Sequence, residues 1–286
     1  MSKTTKPLLL TFAVLWLIAL GLATVYDLDI SLYIADPMSP FGRTLEIIGE
    51  PPAILFASFN CGLILACFMK KPGRGRRELL LAVLAFIGMV GAAFYTIHET
   101  FNYIAAWITD ARGEAFDFGV WGLLAAILIT VIVCTAMLRF VMSLSRETLE
   151  RHFSVACRCV FAAITTLAVI WCFKLGWGRV RFRQLDGDLT RFTRWYLPQG
   201  YTGYFSFPSG HTANAAVIFT SVYYLPFLRE KNAKADAVLL TLLSIWVALL
   251  AFSRVRVGAH YLSDVLFGAA ITFAIVWFWR PRNHNN

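Results

Sequence analysis

The chain of 286 residues is long enough for one large or two small soluble domains, but 58% of its residues are hydrophobic and only 15% are charged. Soluble domains carry about 25% charged residues, and the apolar residues here come in blocks of membrane-spanning length. This composition excludes a soluble protein and predicts an integral membrane protein. The net charge of +9 comes without a basic helix or an aromatic-interleaved basic sheet, so we expect no nucleic acid partner.

Eight apolar segments follow one another along the chain, and each has about the length that an α-helix needs to cross the hydrocarbon layer. We predict spans at 7–26, 51–69, 79–98, 118–140, 155–174, 210–228, 238–254 and 262–279. The expected fold is an all-α, polytopic transmembrane helical bundle of about eight spans. It forms a single integral membrane domain, 1–286, in which the N-terminal helices of 1–150 precede the motif-bearing helices of 151–286.

Lysine and arginine are distributed unevenly between alternate loops. With a cytoplasmic N-terminus, more than half of the 26 Lys and Arg residues fall in cytoplasmic pieces, namely 1–6, 70–78, 139–158, 229–237 and 280–286. Because cytoplasmic loops carry an excess of these residues, we predict that both termini are cytoplasmic. The first two outer loops, 27–50 and 99–117, contain only Arg43 and Arg112 as basic residues.

Two later outer segments break this rule. Segment 174–208 contains six basic residues, and segment 253–264 adds Arg254 and Arg256. Cations on the side that the topology signal disfavours indicate an anion-binding site. The alternative is a basic loop that lies on anionic lipid headgroups.

Three blocks of polar residues fall on this outer side. They are Lys174 to Arg181, then Pro208-Ser209-Gly210-His211, then Ser253-Arg254 with His260 and Asp264. In the first and third blocks, Lys174 supplies a point charge, and the arginines supply planar groups that match phosphate oxygens. In the second, Ser209 and Gly210 begin a helix, where free backbone N–H groups favour an anion.

The two histidines have complementary roles in this interpretation. His260 and Asp264 are four residues apart and hence expected on one helical face, so the carboxylate can bind one ring nitrogen and leave the other as a nucleophile. His211 is the candidate general acid for the leaving group. Zinc would be the alternative ligand of His211, His260 and Asp264, but zinc sites do not recruit three cations, so we expect no metal and no cofactor.

The three blocks resemble the signature of the type 2 phosphatidic acid phosphatase superfamily, over roughly residues 174–264. The second and third blocks match every fixed position of that signature, namely Pro208, Ser209, Gly210, His211, Ser253, Arg254, His260 and Asp264. In the first block Lys174 and Arg181 match, but Phe182 stands where the family usually has proline. We expect this departure to change the local chain direction and not the binding of phosphate.

The resemblance implies a membrane phosphatase without a catalytic metal. It implies His260 as the nucleophile that becomes a phosphohistidine, Asp264 as its orienting group and His211 as the acid. It implies that the phosphate is held by Lys174, Arg181, Arg254 and the Ser209–Gly210 backbone. Membrane members commonly have six spans, so the N-terminal region of this chain is expected to add two.

The predicted function is hydrolysis of a lipid phosphate or diphosphate at the outer face of a bacterial cytoplasmic membrane. Candidate substrates are undecaprenyl diphosphate, phosphatidic acid, phosphatidylglycerol phosphate and lipid A phosphates, and among them we favour a polyprenyl diphosphate. One alternative is a lipid phosphotransferase that uses the same phosphohistidine. Another is a non-catalytic membrane protein that retains the site only to bind anions. The sequence leaves the oligomeric state open.

Overall fold

The computed structural model of the chain describes residues 5–228 and 233–281. Within these residues the α-helices are α1 (Thr5–Ile34), α2 (Pro40–Ile48), α3 (Pro51–Met69), α4 (Arg76–Arg112), α5 (Gly119–Ser143), α6 (Arg146–Trp177), α7 (Gly210–Ala216), α8 (Leu225–Leu228), α9 (Ala233–Arg256) and α10 (Leu262–Trp279). A 3-10 helix, Val217–Tyr224, joins α7 to α8, and two 3-10 turns, Phe182–Gln184 and Leu189–Arg191, lie in the loop before α7. The described residues contain no strand, and the prediction of an all-α membrane protein is confirmed.

Seven helical segments of the described chain are long and apolar enough to cross a membrane. They include all the predicted spans except 210–228, and α2 with α3 counts as one segment. Segment 210–228 is helical but is divided into α7, the 3-10 helix and α8, so no single piece reaches spanning length. The predicted cytoplasmic pieces 1–6, 229–237 and 280–286 lie partly outside the described residues.

Several helices extend beyond the apolar segments that predicted them. The predicted outer loop 99–117 is mostly the end of α4, which stops only at Gly113, where a φ of 70° suits glycine. The predicted loop 27–50 contains the last turns of α1 and all of α2, which Ser39 caps by accepting a hydrogen bond from the Gly42 amide. Hydropathy detects only the lipid-embedded part of a helix, whereas backbone hydrogen bonding continues into the polar interface.

Small side chains allow the long helices to pack closely. Where α3 meets α4, Cys61 lies against Ala85, Met89 and Ala93 in a buried cluster, and a Cβ added at Gly88 would lie 3.0 Å from the Cys61 sulfur. Close approach of backbones is the main source of helix association in lipid. Large apolar side chains instead lie on the outside of the bundle, such as Trp121 on α5, which is 77% exposed.

Helix α7 occupies the centre of the bundle and packs against α3, α6, α9 and α10. The start of α7 can pack against α10 because position 268 of α10 is glycine. A Cβ added there would lie 2.5 Å from the carbonyl oxygen of Ser209. The amide of Ser209 in turn donates to the carbonyl oxygen of Asp264, at 2.9 Å. These contacts bring the start of α7, the end of α6 and the turn between α9 and α10 to one end of the bundle.

Candidate active site

The start of α7 places the second sequence block beside the first. Ser209 is fully buried and caps α7, and its hydroxyl accepts a hydrogen bond from the amide of Thr212 at 3.4 Å. A Cβ added at Gly210 would lie 3.4 Å from Cε of Lys174, so the lysine passes directly over this glycine. Free amides at a helix start and a cation above them form an arrangement that favours a bound anion.

His260 and Asp264 lie in the turn between α9 and α10 and in the first turn of α10, so the single helical face expected from their spacing is not what joins them. Asp264 accepts a hydrogen bond from the Tyr261 amide at 3.0 Å and thereby caps α10. The same carboxylate oxygen lies 3.6 Å from Nδ1 of His260, which is longer than a hydrogen bond, and it accepts one from the Ser206 hydroxyl at 2.6 Å. Asp264 is therefore fixed by several donors and faces the imidazole of His260.

The imidazole of His260 is held in its neutral form. Burial lowers the pKa of His260 to about 3, because the nearby Asp264 carboxylate only partly offsets the loss of solvation and the cations Lys174 and Arg181 add repulsion. A neutral ring nitrogen is the state that a nucleophile requires.

The three predicted phosphate-binding cations converge on this place and keep hydrogen-bond donors unused. Lys174 is buried and donates to the carbonyl oxygen of Phe205 at 2.6 Å. Nε of Arg181 and both Nε and Nη1 of Arg254 are buried without a hydrogen-bond partner among the described residues. Buried donors are nearly always satisfied, so unsatisfied donors on adjacent arginines indicate room for an anionic ligand.

His211 faces the same space from α7. It lies within electrostatic range of His260, Arg181 and Lys174, so all three sequence blocks meet around it. Its Nδ1 lies 3.4 Å from a carboxylate oxygen of Glu50, and its Nε2 is buried without a partner in the described part of the chain. The ring of Tyr103 on α4 packs against the imidazole, with 5.1 Å between ring centroids.

Carboxylates from the N-terminal helices complete the site, and sequence reasoning missed them. Glu50 precedes α3 and lies beside His211, and Glu46 of α2 accepts a hydrogen bond from Nη2 of Arg254 at 2.7 Å. Both residues were assigned to an outer loop. The only signal for them was the excess of acidic residues in that loop, which complements the excess of cations in 174–208.

A second missed group is the buried network around Arg179, which lies between Lys174 and Arg181 in the sequence. Its guanidinium is fully buried and donates to Asp264 at 2.6 Å and to Asp27 of α1 at 2.9 Å. It also stacks over the ring of Tyr261, with 4.1 Å from Cζ to the ring centroid. Arg179 therefore joins α1 to the carboxylate that faces His260.

A cavity of about 400 Å³ adjoins the site and is lined by Arg43, Glu46, Asn102, Tyr103, Ala106, Asp110 and Arg183. Two of these residues touch the site directly, since Tyr103 contacts His211 and Glu46 contacts Arg254. The space next to the candidate phosphate site is thus polar and enters between α2, α4 and the loop after α6.

Comparison with known proteins locates the similarity in the C-terminal part of the chain. Residues 155–286 match the family model of the PAP2 superfamily. A segment of 81 residues is 35% identical to phosphatidylglycerophosphatase B of Bacillus subtilis, and covers 27% of this chain and 38% of that protein. A segment of 75 residues is 39% identical to phosphatidylglycerophosphatase B of Haemophilus influenzae, and covers 26% of this chain and 30% of that protein. The matches thus span about a third of the curated relatives' own length, and no solved structure matches this chain.

Proposed function

We propose that the chain is a membrane phosphatase of the PAP2 superfamily, whose family model matches residues 155–286, and that it hydrolyses a lipid phosphate or diphosphate through a phosphohistidine. The observation that carries this proposal is a set of buried nitrogens on Arg181, Arg254 and His211 that have no hydrogen-bond partner among the described residues and lie around the imidazole of His260. A phosphoryl group supplies the oxygen acceptors and the negative charge that the two arginines lack.

In the first step, a ring nitrogen of His260 attacks the terminal phosphorus, and the bond from that phosphorus to the leaving-group oxygen breaks; this oxygen belongs to the lipid alcohol in a monophosphate and bridges the two phosphates in a diphosphate. Asp264 stabilises the charge that develops on the imidazole, and Arg181, Arg254 and Lys174 stabilise the charge on the equatorial oxygens. His211 donates a proton to the departing oxygen. Burial and the neighbouring cations lower the pKa of His211 well below its ordinary value. Glu50, 3.4 Å from Nδ1 of His211, and the negative charge of the bound phosphate oppose this lowering and favour the protonated form that the donation requires.

In the second step, water attacks the phosphohistidine, His211 accepts a proton from that water, and the bond from nitrogen to phosphorus breaks to release inorganic phosphate. The buried arginines and Lys174 supply the positive charge that Mg²⁺ supplies in many other phosphoryl transfer enzymes. We therefore propose that no catalytic metal is needed.

We further propose that the site faces the outside of a bacterial cytoplasmic membrane, as the distribution of Lys and Arg between alternate loops predicts. A site at headgroup level lets a phosphate enter while the apolar chains of the substrate remain in the bilayer. Both relatives are named phosphatidylglycerophosphatase B, which adds phosphatidylglycerol phosphate to the polyprenyl diphosphate favoured by the sequence.

The test is phosphate release by the purified protein in detergent from a panel of lipid phosphates and diphosphates, in EDTA. We expect turnover on at least one lipid, inhibition by vanadate and no dependence on divalent metal. The His260→Ala variant is the matched control for contaminating phosphatases. Loss of activity in EDTA with full recovery in Mg²⁺ would contradict the metal-free mechanism, and no turnover on any lipid would contradict the proposed function.

A further inference from the structure

The cavity beside the site is lined by Arg183, whose side chain has no hydrogen-bond partner among the described residues. The side chain of Arg183 is 31% exposed, and its closest acidic partner is a Glu46 oxygen at 3.9 Å, beyond hydrogen-bond distance. Its backbone amide donates to the carbonyl oxygen of Gly258 at 2.8 Å, which fixes the chain position at the turn that leads to His260. The backbone of Arg183 is therefore held in place, while its guanidinium can donate hydrogen bonds to a ligand.

The acidic residues of the same cavity are already neutralised. Arg43 donates from Nη1 to Glu46 at 3.1 Å and from Nη2 to Asp110. Glu46 also accepts the hydrogen bond from Arg254. The carboxylates that line the cavity thus have cationic partners, whereas the guanidinium of Arg183 makes no side-chain hydrogen bond to any described residue. An anion in the cavity could therefore accept hydrogen bonds from the guanidinium of Arg183.

The cavity lies where it could bind the leaving group of the substrate. This step relies on the function proposed above, in which His211 gives a proton to the departing oxygen. Arg183 lies within electrostatic range of Arg181 and Arg254, and Glu46 and Tyr103 touch the site and also line the cavity. A group attached to the departing oxygen beside His211 can therefore extend into the cavity and reach Arg183.

We propose that this cavity is a leaving-group subsite in which Arg183 binds a second phosphoryl group of the substrate. The enzyme would then favour lipids whose leaving group carries its own phosphoryl charge over lipids whose leaving group is a neutral alcohol. A prenyl diphosphate and a phosphatidylglycerol phosphate both meet this requirement, whereas phosphatidic acid and a prenyl monophosphate do not. Asn102 and Tyr103 add neutral hydrogen-bonding groups for the atoms between the two phosphates.

The experiment compares substrates with and without a second phosphoryl group. Values of kcat/KM are measured for prenyl diphosphate and prenyl monophosphate of one chain length, and for phosphatidylglycerol phosphate and phosphatidic acid with identical acyl chains. The variants are Arg183→Gln, Arg183→Lys and, as a control, Arg112→Gln, which changes an exposed arginine that does not line the cavity. Inhibition by inorganic diphosphate and by inorganic phosphate is measured alongside.

We expect Arg183→Gln to lower kcat/KM for the two-phosphate substrates roughly tenfold to a hundredfold, the usual effect of losing one hydrogen bond to a charged group. The one-phosphate substrates should change less than about threefold, and inhibition by diphosphate should weaken more than inhibition by phosphate. Arg183→Lys should retain part of the preference, and Arg112→Gln should retain all of it. The pair of substrates that responds identifies whether the subsite takes a diphosphate or a phosphodiester headgroup.

Equal losses on one-phosphate and two-phosphate substrates would overturn the proposal, because Arg183 would then act on the transferred phosphate or on the fold. Unchanged kinetics in Arg183→Gln would overturn it as well. If the wild-type protein hydrolyses none of the four lipids, the proposed function itself is wrong. If the variants are active but keep the wild-type preference for two-phosphate substrates, only the proposed subsite is wrong.

Discussion

At the scale of single residues, each histidine of the candidate site has a carboxylate beside its Nδ1. Asp264 lies 3.6 Å from His260, and Glu50 lies 3.4 Å from His211. Asp264 belongs to the matched C-terminal part and Glu50 to the N-terminal helices. A carboxylate near Nδ1 favours the tautomer that carries the proton on Nδ1 and leaves the lone pair on Nε2, the nitrogen that the proposed mechanism would use in both rings.

The division of labour between the histidines can be tested through the leaving group. We expect His260→Ala to abolish turnover on all substrates, because no covalent intermediate can form. We expect His211→Ala to lower the rate about 10²–10⁴-fold for an alkyl phosphate, whose leaving alkoxide needs a proton, and less for an aryl phosphate. Steady-state rates and trapping of the phosphoenzyme measure the two effects, with His152→Ala as the control. Phosphoenzyme in His260→Ala would place the nucleophile elsewhere, and equal losses of His211→Ala on both substrates would remove its role as the acid.

The low pKa of His260 gives a second prediction. Because the ring is neutral above about pH 3, its NMR signals should not titrate between about pH 5 and pH 8, where an ordinary histidine changes charge. The measurement uses protein labelled at histidine in detergent micelles, with the signal assigned by its absence from His260→Asn. A midpoint for His260 near its ordinary value of about 6.5 would contradict the prediction.

At the scale of helices, Arg179 connects three elements that are distant in sequence. Its guanidinium pairs with Asp27 of α1 and with Asp264 of α10, while its own backbone follows α6. The backbone amide of Ser263 also donates to Asp27, at 3.0 Å. The kink in α1 at Tyr26, with φ of −114° and ψ of 17°, lies next to this contact. The first helix is therefore part of the framework that holds Asp264.

We predict that Arg179→Met destabilises the fold strongly, because it leaves two buried carboxylates without their shared cation. Removing one partner of a buried ion pair usually costs about 3–5 kcal/mol. The midpoint of thermal unfolding in detergent should fall well below that of the wild type. Arg194→Met is the matched control, since Arg194 is exposed and, among the described residues, donates only to the backbone of Thr24. Its effect should stay within about 0.5 kcal/mol. Equal midpoints for the two variants would show that the network does not support the fold.

The helices were largely predictable and the carboxylates of the site were not, for a physical reason. Apolar length identifies a span because lipid requires it, so 51–69 and 262–279 were predicted with the bounds that α3 and α10 have. Hydropathy carries no information about which polar residues meet across the bundle. Asp27, Glu46 and Glu50 therefore looked like loop charges until the ends of α1, α2 and α3 were seen against the later helices.

At the scale of the whole molecule, part of the cation cluster in segments 174–208 and 253–264, which the sequence predicts to lie outside, is explained by acids from segment 27–50. Arg179 pairs with Asp27 and Arg256 with Asp36. Lys174 and Arg181 have no ion pair among the described residues. The motif residues were predictable because a binding site needs fixed chemical types at fixed spacing. The purely structural cations could not be separated from them without knowing their partners.

The membrane topology gives the prediction at the scale of the whole molecule. We expect 70–78 on the cytoplasmic side and 174–208 outside, because Lys and Arg favour the cytoplasmic loops. Lys71→Cys and Tyr201→Cys, both at exposed positions, are introduced separately into a variant without the native cysteines. Tyr201→Cys should react with an impermeant maleimide in intact cells, and Lys71→Cys only after permeabilisation. Labelling of both positions from the same side would contradict the predicted topology.

The pairing of early acids with late arginines also has a consequence for the order of synthesis. Asp27, Glu46 and Glu50 leave the ribosome more than a hundred residues before the segment that carries Arg179 and Arg183. Glu46 has an early partner in Arg43, but Asp27 has no described cationic partner until Arg179 has been synthesised. A nascent chain that stops before Arg179 therefore holds α1 without the contact that joins it to α6 and α10, and the first helix takes its final position only after the C-terminal helices have been translated.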